Sequence, residues 1–185
     1  MAIHKIDFDE VQKAMEDIER EAFDYFLDTG TGEVVILSED ILEKARSILA
    51  DSYEEDLAEF EAVELDEECN LPEWAEDEVE LALDVFVHQQ ERFRRIPERR
   101  PEHVYEAMQG FAAGLEDRDL GLSLREILEG KGAFRRFKDA LQAHPKEKKQ
   151  WYGYNAMMAR KEISAWLGSI GLTAPAEDQV QDNAE

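Results

Sequence analysis

Apolar residues recur at steps of three and four along almost all of this 185-residue chain, and the pattern breaks clearly in one place. A period near 3.6 commits a chain to helices that each bury one stripe, so a mostly helical fold follows before any motif is considered. The break falls at residues 23–37. Phe23-Asp24-Tyr25-Phe26-Leu27 and Val34-Val35-Ile36-Leu37 are rich in aromatic and β-branched residues, with Asp28-Thr29-Gly30-Thr31-Gly32-Glu33 between them. Two glycines there supply the positive φ angles of a short loop, which predicts a β-hairpin.

The helical segments carry their own start and stop signals. Asp7 with Glu10 makes an Asp version of the capping box, and Phe8, Val11, Met15, Ile18 and Ala22 give a face that predicts a helix over about residues 8–21. Ser38 caps a second helix, with Glu39 and Asp40 at its positive end and Ile41, Leu42, Ala45, Ile48 and Leu49 inside. Residues 51–70 are acidic and weakly periodic, with a short helix expected around Leu57 and Phe60. Another helix is expected from Pro72 through Ala75, Val79, Ala82 and Phe86. Arg92-Phe93-Arg94-Arg95-Ile96-Pro97 reads as extended, either a third strand or a linker.

Pro101 suits the first turn of a helix with the stripe Val104, Met108, Phe111 and Leu115. Ser123 and Glu126 make a second capping box, with Leu124, Ile127 and Leu128 inside and Gly130 as the stop. Phe134, Phe137 and Leu141 mark a helix ending near Pro145. The final helix presents Tyr152, Ala156, Ala159, Ile163, Trp166, Leu167 and Ile170. The expected fold class is α+β, mainly helical: an N-terminal β-hairpin, extended or not by a third strand at Phe93–Ile96, packed on a helical core. One domain is expected over residues 1–172, followed by a disordered polar tail over 173–185.

Charge narrows the function classes. The net charge is −24, and residues 1–90 hold 5 Lys and Arg against 29 Asp and Glu, which accounts for all of it. Residues 91–185 hold 16 of each, and within them 91–161 carries 16 against 11, a local +5. The acidic run from Glu54 to Glu80 has three readings: a solvated face, which is favoured, a surface for a basic partner or a nucleic-acid mimic, and salt adaptation. The neutral second half argues against the last. Met1–Asp7 lacks the form of a signal peptide, and no apolar run approaches the ~18 residues of a membrane span. Cys69 is the only cysteine, so neither an internal disulfide nor a cysteine-built zinc site can form. These features predict a cytoplasmic protein without membrane contact.

Familiar catalytic patterns are missing. Asp28-Thr29-Gly30-Thr31, preceded by Phe26 and Leu27, resembles an aspartic-protease motif. That chemistry needs two such aspartates, and one copy is present in a helical context. A hairpin turn accounts for the same residues. His4, His88, His103 and His144 have no metal-ligand spacing, and Cys69 sits among anions that disfavour a thiolate. No metal and no cofactor is expected.

The informative segment is Gly130-Lys131-Gly132-Ala133-Phe134-Arg135-Arg136-Phe137-Lys138-Asp139. Glycines precede a helix start, where free N–H groups and the dipole favour anions. Lys131, Arg135, Arg136 and Lys138 lie close by, and Lys146, Lys148 and Lys149 lead into Trp151, Tyr152 and Tyr154. Basic and aromatic residues together bind single-stranded nucleic acid, so Lys131, Arg135, Arg136, Lys138, Trp151 and Tyr152 form the candidate ligand-binding set. The plainer reading puts Phe134, Phe137 and Leu141 in the core and lets the outward cations pair with the acidic half.

Several strings together resemble a bacterial family of uncharacterised proteins. They are Leu27-Asp28 leading into Thr31-Gly32-Glu33-Val34-Val35; Leu71-Pro72-Glu73-Trp74; Arg92-Phe93-Arg94-Arg95-Ile96-Pro97; Gly130 to Asp139; and Trp151-Tyr152. They span most of residues 6–172 in order, and the Gly130–Asp139 string with Trp151-Tyr152 is the most specific. The acidic stretch around 54–69 departs from the pattern as extra length. The resemblance implies a conserved type of domain and brings no catalytic residues. The favoured function is a non-catalytic interaction or regulatory module that binds another protein through charge. Binding of a nucleic acid or phosphorylated ligand at the basic segment is the alternative, and an enzyme assembled from scattered residues is a third.

Overall fold

A computed structural model describes residues 6–52, 72–89 and 91–172. The expected helix at Leu57 and Phe60, most of the acidic run, His4, Cys69 and the expected tail lie outside the described residues. Among the described residues two compact units emerge, one up to Pro97 and one over residues 98–172.

The first unit contains α1 (Phe8–Glu16), β1 (Phe23–Asp28), β2 (Val34–Ser38), α2 (Glu39–Ser52), α3 (Glu73–Val87) and β3 (Phe93–Arg95). The three strands form an antiparallel sheet of order β2-β1-β3, so the segment read as strand or linker is a strand. Phe26 lies opposite Val35 on one side and Arg95 on the other. The period-2 alternation puts Phe26 on the face that packs with Leu42, Ala45, Val79 and Leu83 from α2 and α3. Full burial of each such Leu or Phe stabilises by roughly 1.5–3 kcal/mol. Leu27 points the other way and is also fully buried.

The turn between β1 and β2 is set by its own side chains. The Gly30 N–H donates to Asp28 Oδ1 at 2.8 Å, and the Gly32 N–H donates to the Asp28 carbonyl at 2.7 Å. Gly32 sits at φ 83°, the left-handed region that glycine enters at no steric cost.

Two boundaries differ from expectation. α1 stops at Glu16, because Asp17 is extended and its carboxylate accepts from the Glu19 N–H at 3.1 Å and from the Tyr25 hydroxyl. Ile18, expected on the buried face, is therefore 95% exposed. Asp7 does cap α1, accepting from Asp9 and Glu10 N–H at 2.9 and 3.2 Å.

The second unit is all helical: α4 (Pro101–Gly114), α5 (Arg118–Leu128), α6 (Ala133–Leu141) and α7 (Pro145–Ser169). α5 begins a turn and a half before the expected Ser123, because Asp117 caps it by accepting from the Leu120 N–H at 3.0 Å. Leu120, Leu124 and Leu128 then recur at steps of four and are buried. α4 and α5 approach closely at Gly121, where a Cβ would sit 2.6 Å from the Ala112 carbonyl oxygen. The core holds Met108, Phe111, Leu124, Phe137, Leu141 and Trp151. Among the described residues no helix is long and apolar enough to cross a membrane.

Candidate functional site

The basic segment runs from the end of α5 through α6 into α7. Gly132 is the N-cap of α6, in the left-handed region at φ 69°, and no side chain caps the helix there. Ala133, Phe137 and Leu141 are buried at steps of four. Phe134 falls one residue off that stripe and stays 38% exposed, with its ring 6.4 Å from that of Tyr105, so the expectation that it is core is corrected.

Lys131, Arg135, Arg136 and Lys138 are all exposed. Arg135 makes an ion pair within its own helix, Nε to Asp139 Oδ2 at 3.7 Å, with both side chains largely in solvent. Such a pair contributes little. The Arg136 guanidinium lies against Gly130, where a Cβ would be 2.7 Å from its Nη1. This is just past the C-terminus of α5, the end of a helix that favours a cation.

The two aromatic members of the predicted set separate. Trp151 is 4% exposed, with ring centroids 5.1 Å from Phe137 and 5.4 Å from Phe111, both edge-on. Its ring is committed to the core. Tyr152, one residue on, is 59% exposed, which corrects the expectation that it faces inward from the last helix. Neighbouring helical positions differ by 100°, so only one of the two can face the core.

The basic character continues along α7. Lys146, Lys149, Arg160 and Lys161 are exposed, as is Met157 at 43%. Lys148 is half-buried and donates to Gln142 Oε1 at 2.6 Å. Residues 130–161 hold nine Lys and Arg against two Asp and Glu, a net of +7.

Three charge clusters were not legible beforehand. Asp28 is buried and receives Arg92 in a fork, Nε to Oδ1 at 3.0 Å and Nη2 to Oδ2 at 2.7 Å. Arg92 also reaches Asp84 Oδ2 at 3.5 Å and lies 4.8 Å over the Phe93 ring. Burial pushes the Asp28 carboxyl up, but the Arg92 hydrogen bonds and the Gly30 amide outweigh it and hold the group below its ordinary value. The Asp-Thr-Gly-Thr segment is thus a pinned hairpin turn.

Asp24, also buried, takes Arg95 Nε at 2.6 Å and has Arg20 Nη2 at 3.6 Å. Arg20 also donates to the Ala14 and Ile96 carbonyls. In the second unit, buried Arg99 donates to Glu162 Oε1 at 2.8 and 3.0 Å and to Asn155 Oδ1 at 2.8 Å. His103 Nδ1 lies 3.2 Å from Glu162 Oε2. Arg92-Phe93-Arg94-Arg95 places cations in the first of these stretches, but a periodic reading has no rule for a buried arginine such as Arg99.

Among the described residues no group of three or more His, Cys, Asp or Glu side chains is placed to hold a metal ion. A surface groove of ≈ 510 Å³ lies on the second unit, lined by Glu106, Gln109, Gly110, Ala113, Arg125 and Glu129. It shares no residue with the basic segment.

No curated protein and no solved structure matches the chain. A family model does match residues 67–184, a span that takes in Arg92–Pro97, Gly130–Asp139 and Trp151-Tyr152 and starts after the hairpin, and the chain therefore belongs to the uncharacterised protein family UPF0158.

Proposed function

We propose that this chain is a non-catalytic interaction module that docks an acidic protein surface on the basic face of α6 and α7. The observation that carries this reading is a set of six cations within residues 130–161. Lys131, Arg136, Lys138, Lys146, Lys149 and Lys161 lie exposed and make no ion pair among the described residues. Helical spacing collects Lys146, Lys149, Gly153, Met157 and Arg160 on one side of α7, a ridge about 21 Å long at 1.5 Å per residue. Met157 adds apolar area toward its C-terminal end, and Gly153 has nothing within 4 Å of the place its Cβ would occupy. A ridge of this length suits a partner helix or sheet face better than a single phosphate group.

Nucleic acid is the weaker reading. Burial of Trp151 removes the main stacking platform for unpaired bases. A net charge of −24 repels a phosphate backbone more strongly than a less densely charged protein surface.

The test compares the full chain with the double variant Lys146→Glu, Lys149→Glu. Fluorescence anisotropy is read with a poly-glutamate peptide and a single-stranded RNA of equal charge, at low and physiological ionic strength. Salt-sensitive poly-glutamate binding that weakens at least tenfold in the variant supports the reading. Tighter binding of RNA than of poly-glutamate transfers it to nucleic acid, and no binding of either refutes it.

A further inference from the structure

Among the described residues, the sheet of the first unit leaves its β2 edge without a strand partner. β2 is the outermost strand and pairs with β1 alone among the described residues. Its register fixes which backbone groups are engaged. The Asp28 N–H donates to the Glu33 carbonyl at 2.9 Å, and the Glu39 N–H donates to the Ala22 carbonyl at 2.8 Å. Odd-numbered residues of β2 therefore turn their N–H and C=O toward β1. By the alternation of an antiparallel ladder, Val34 and Ile36 turn theirs to the open side.

The opposite edge differs. On β3 the outward N–H of Phe93 already donates to the His88 carbonyl at 3.0 Å. Edge strands are usually guarded by a proline, a lysine or a bulge. β2, Val34-Val35-Ile36-Leu37-Ser38, contains none of these, and Ile36 is 54% exposed.

The surroundings of that edge are acidic. Glu33 precedes the strand, and Glu39 and Asp40 follow it. A groove of ≈ 330 Å³ at its start is lined by Asp7, Glu10, Gly32, Glu33 and Val34. A second copy of β2 is a poor occupant. Antiparallel self-pairing would set Glu33 of one copy near Glu39 and Asp40 of the other, and like charges there oppose association.

We propose that β2 accepts an extended segment of a partner protein as a fourth strand, and that this segment alternates apolar with basic residues. The backbone groups of Val34 and Ile36 supply the hydrogen bonds. The exposed Ile36 side chain supplies apolar contact, and the acidic rim selects for Lys or Arg in the incoming strand. This surface lies in the first unit and does not depend on the basic face of the second.

The experiment follows backbone amide exchange in the full chain, alone and with an acetylated peptide of alternating Lys and Val. Val34 and Ile36 amides exchange freely in the chain alone and slow at least tenfold with the peptide. The same peptide N-methylated on its edge-facing amides binds at least tenfold more weakly, as does an alternating Glu and Val peptide. Ile36→Pro removes one outward donor, leaves the β1 ladder intact and lowers affinity by a similar factor. Protection of Val34 and Ile36 in the chain alone overturns the proposal, because the edge is then already covered. Equal binding of the N-methylated peptide overturns it too, because attraction is then charge without strand pairing. Equal binding of the Glu and Val peptide removes the acidic rim's role and overturns the stated partner.

Discussion

Asp28→Asn tests whether a carboxylate, and not merely a turn-compatible side chain, holds the hairpin to β3. The native group accepts three hydrogen bonds, two from Arg92 and one from the Gly30 amide. Hydrogen bonds to a charged group contribute roughly 1.5–3 kcal/mol each when buried. Arg92 is 47% exposed at its side chain, so water and salt recover part of what it would lose. Asparagine keeps one oxygen for Gly30 and one arm of Arg92, and turns an NH₂ group toward the other arm. The net cost is about 2 kcal/mol.

Native-state hydrogen exchange at the β1 amides reads this locally, as exchange about 30-fold faster. A double-mutant cycle with Arg92→Gln should show coupling of about 1–2 kcal/mol. The pH dependence carries a sign. The folded pKa of Asp28 lies below the unfolded value, so its stabilisation is present above about pH 4 and is lost as pH falls through the folded value. The difference between native and variant chains therefore shrinks on acidification. Exchange altered less than twofold, or a difference that stays flat down to acid pH, would refute the argument.

Three measurements bear on the rest. Trp151→Ala should cost about 3–5 kcal/mol, whereas Tyr152→Ala should stay within about 0.5 kcal/mol, and urea midpoints distinguish the two. Gly121→Ala should destabilise by about 1–3 kcal/mol because the Ala112 carbonyl cannot swing away, while Gly153→Ala should stabilise α7 by up to about 1 kcal/mol in thermal melts. Burial, then the hydrogen bond to Asp17, pushes the Tyr25 phenol up to about 12. Its folded pKa exceeds the unfolded one, so its stabilisation holds below about pH 10 and is lost between there and about 12; an ultraviolet titration of the native chain against Tyr25→Phe should show one phenol titrating at about 12 that the variant lacks.

Most elements were readable because the physics that makes them is local. The hairpin follows from β-branched and aromatic runs around two glycines, and α4 follows from Pro101 and a stripe. The errors came where two local signals competed. Asp17 ended α1 although the apolar spacing continued to Ile18 and Ala22. Asp117 capped α5 before Ser123 could. At the basic segment, a one-residue phase error exchanged Trp151 with Tyr152 and admitted Phe134 to the core. Side-chain pairs across long separations left no periodic trace. Asp28 with Arg92 and Arg99 with Glu162 are 64 and 63 residues apart, and no helical or strand repeat connects such positions.

These pairs also sharpen the meaning of the charge imbalance. In the first unit the few cations are largely engaged: Arg20 and Arg95 at Asp24, Arg46 at Glu39, and Arg92 at Asp28 and Asp84. Arginine suits these places because its planar fork meets a carboxylate on two sides. Over residues 130–161 the balance shifts to lysine, six of the nine cations, on exposed or half-buried positions. A compact, strongly hydrated ammonium is poorly suited to buried pairing and well suited to a surface that stays charged in water. The same distinction separates the two kinds of basic residue in this chain. Its arginine clusters at Asp24 and Asp28 lie within the first unit and the one at Glu162 within the second, each tying elements of its own unit, and its lysine ridge faces outward. Charge reversal along that ridge should therefore alter binding while leaving the fold in place, whereas loss of Arg92 or Arg99 should lower the stability of the unit that holds it.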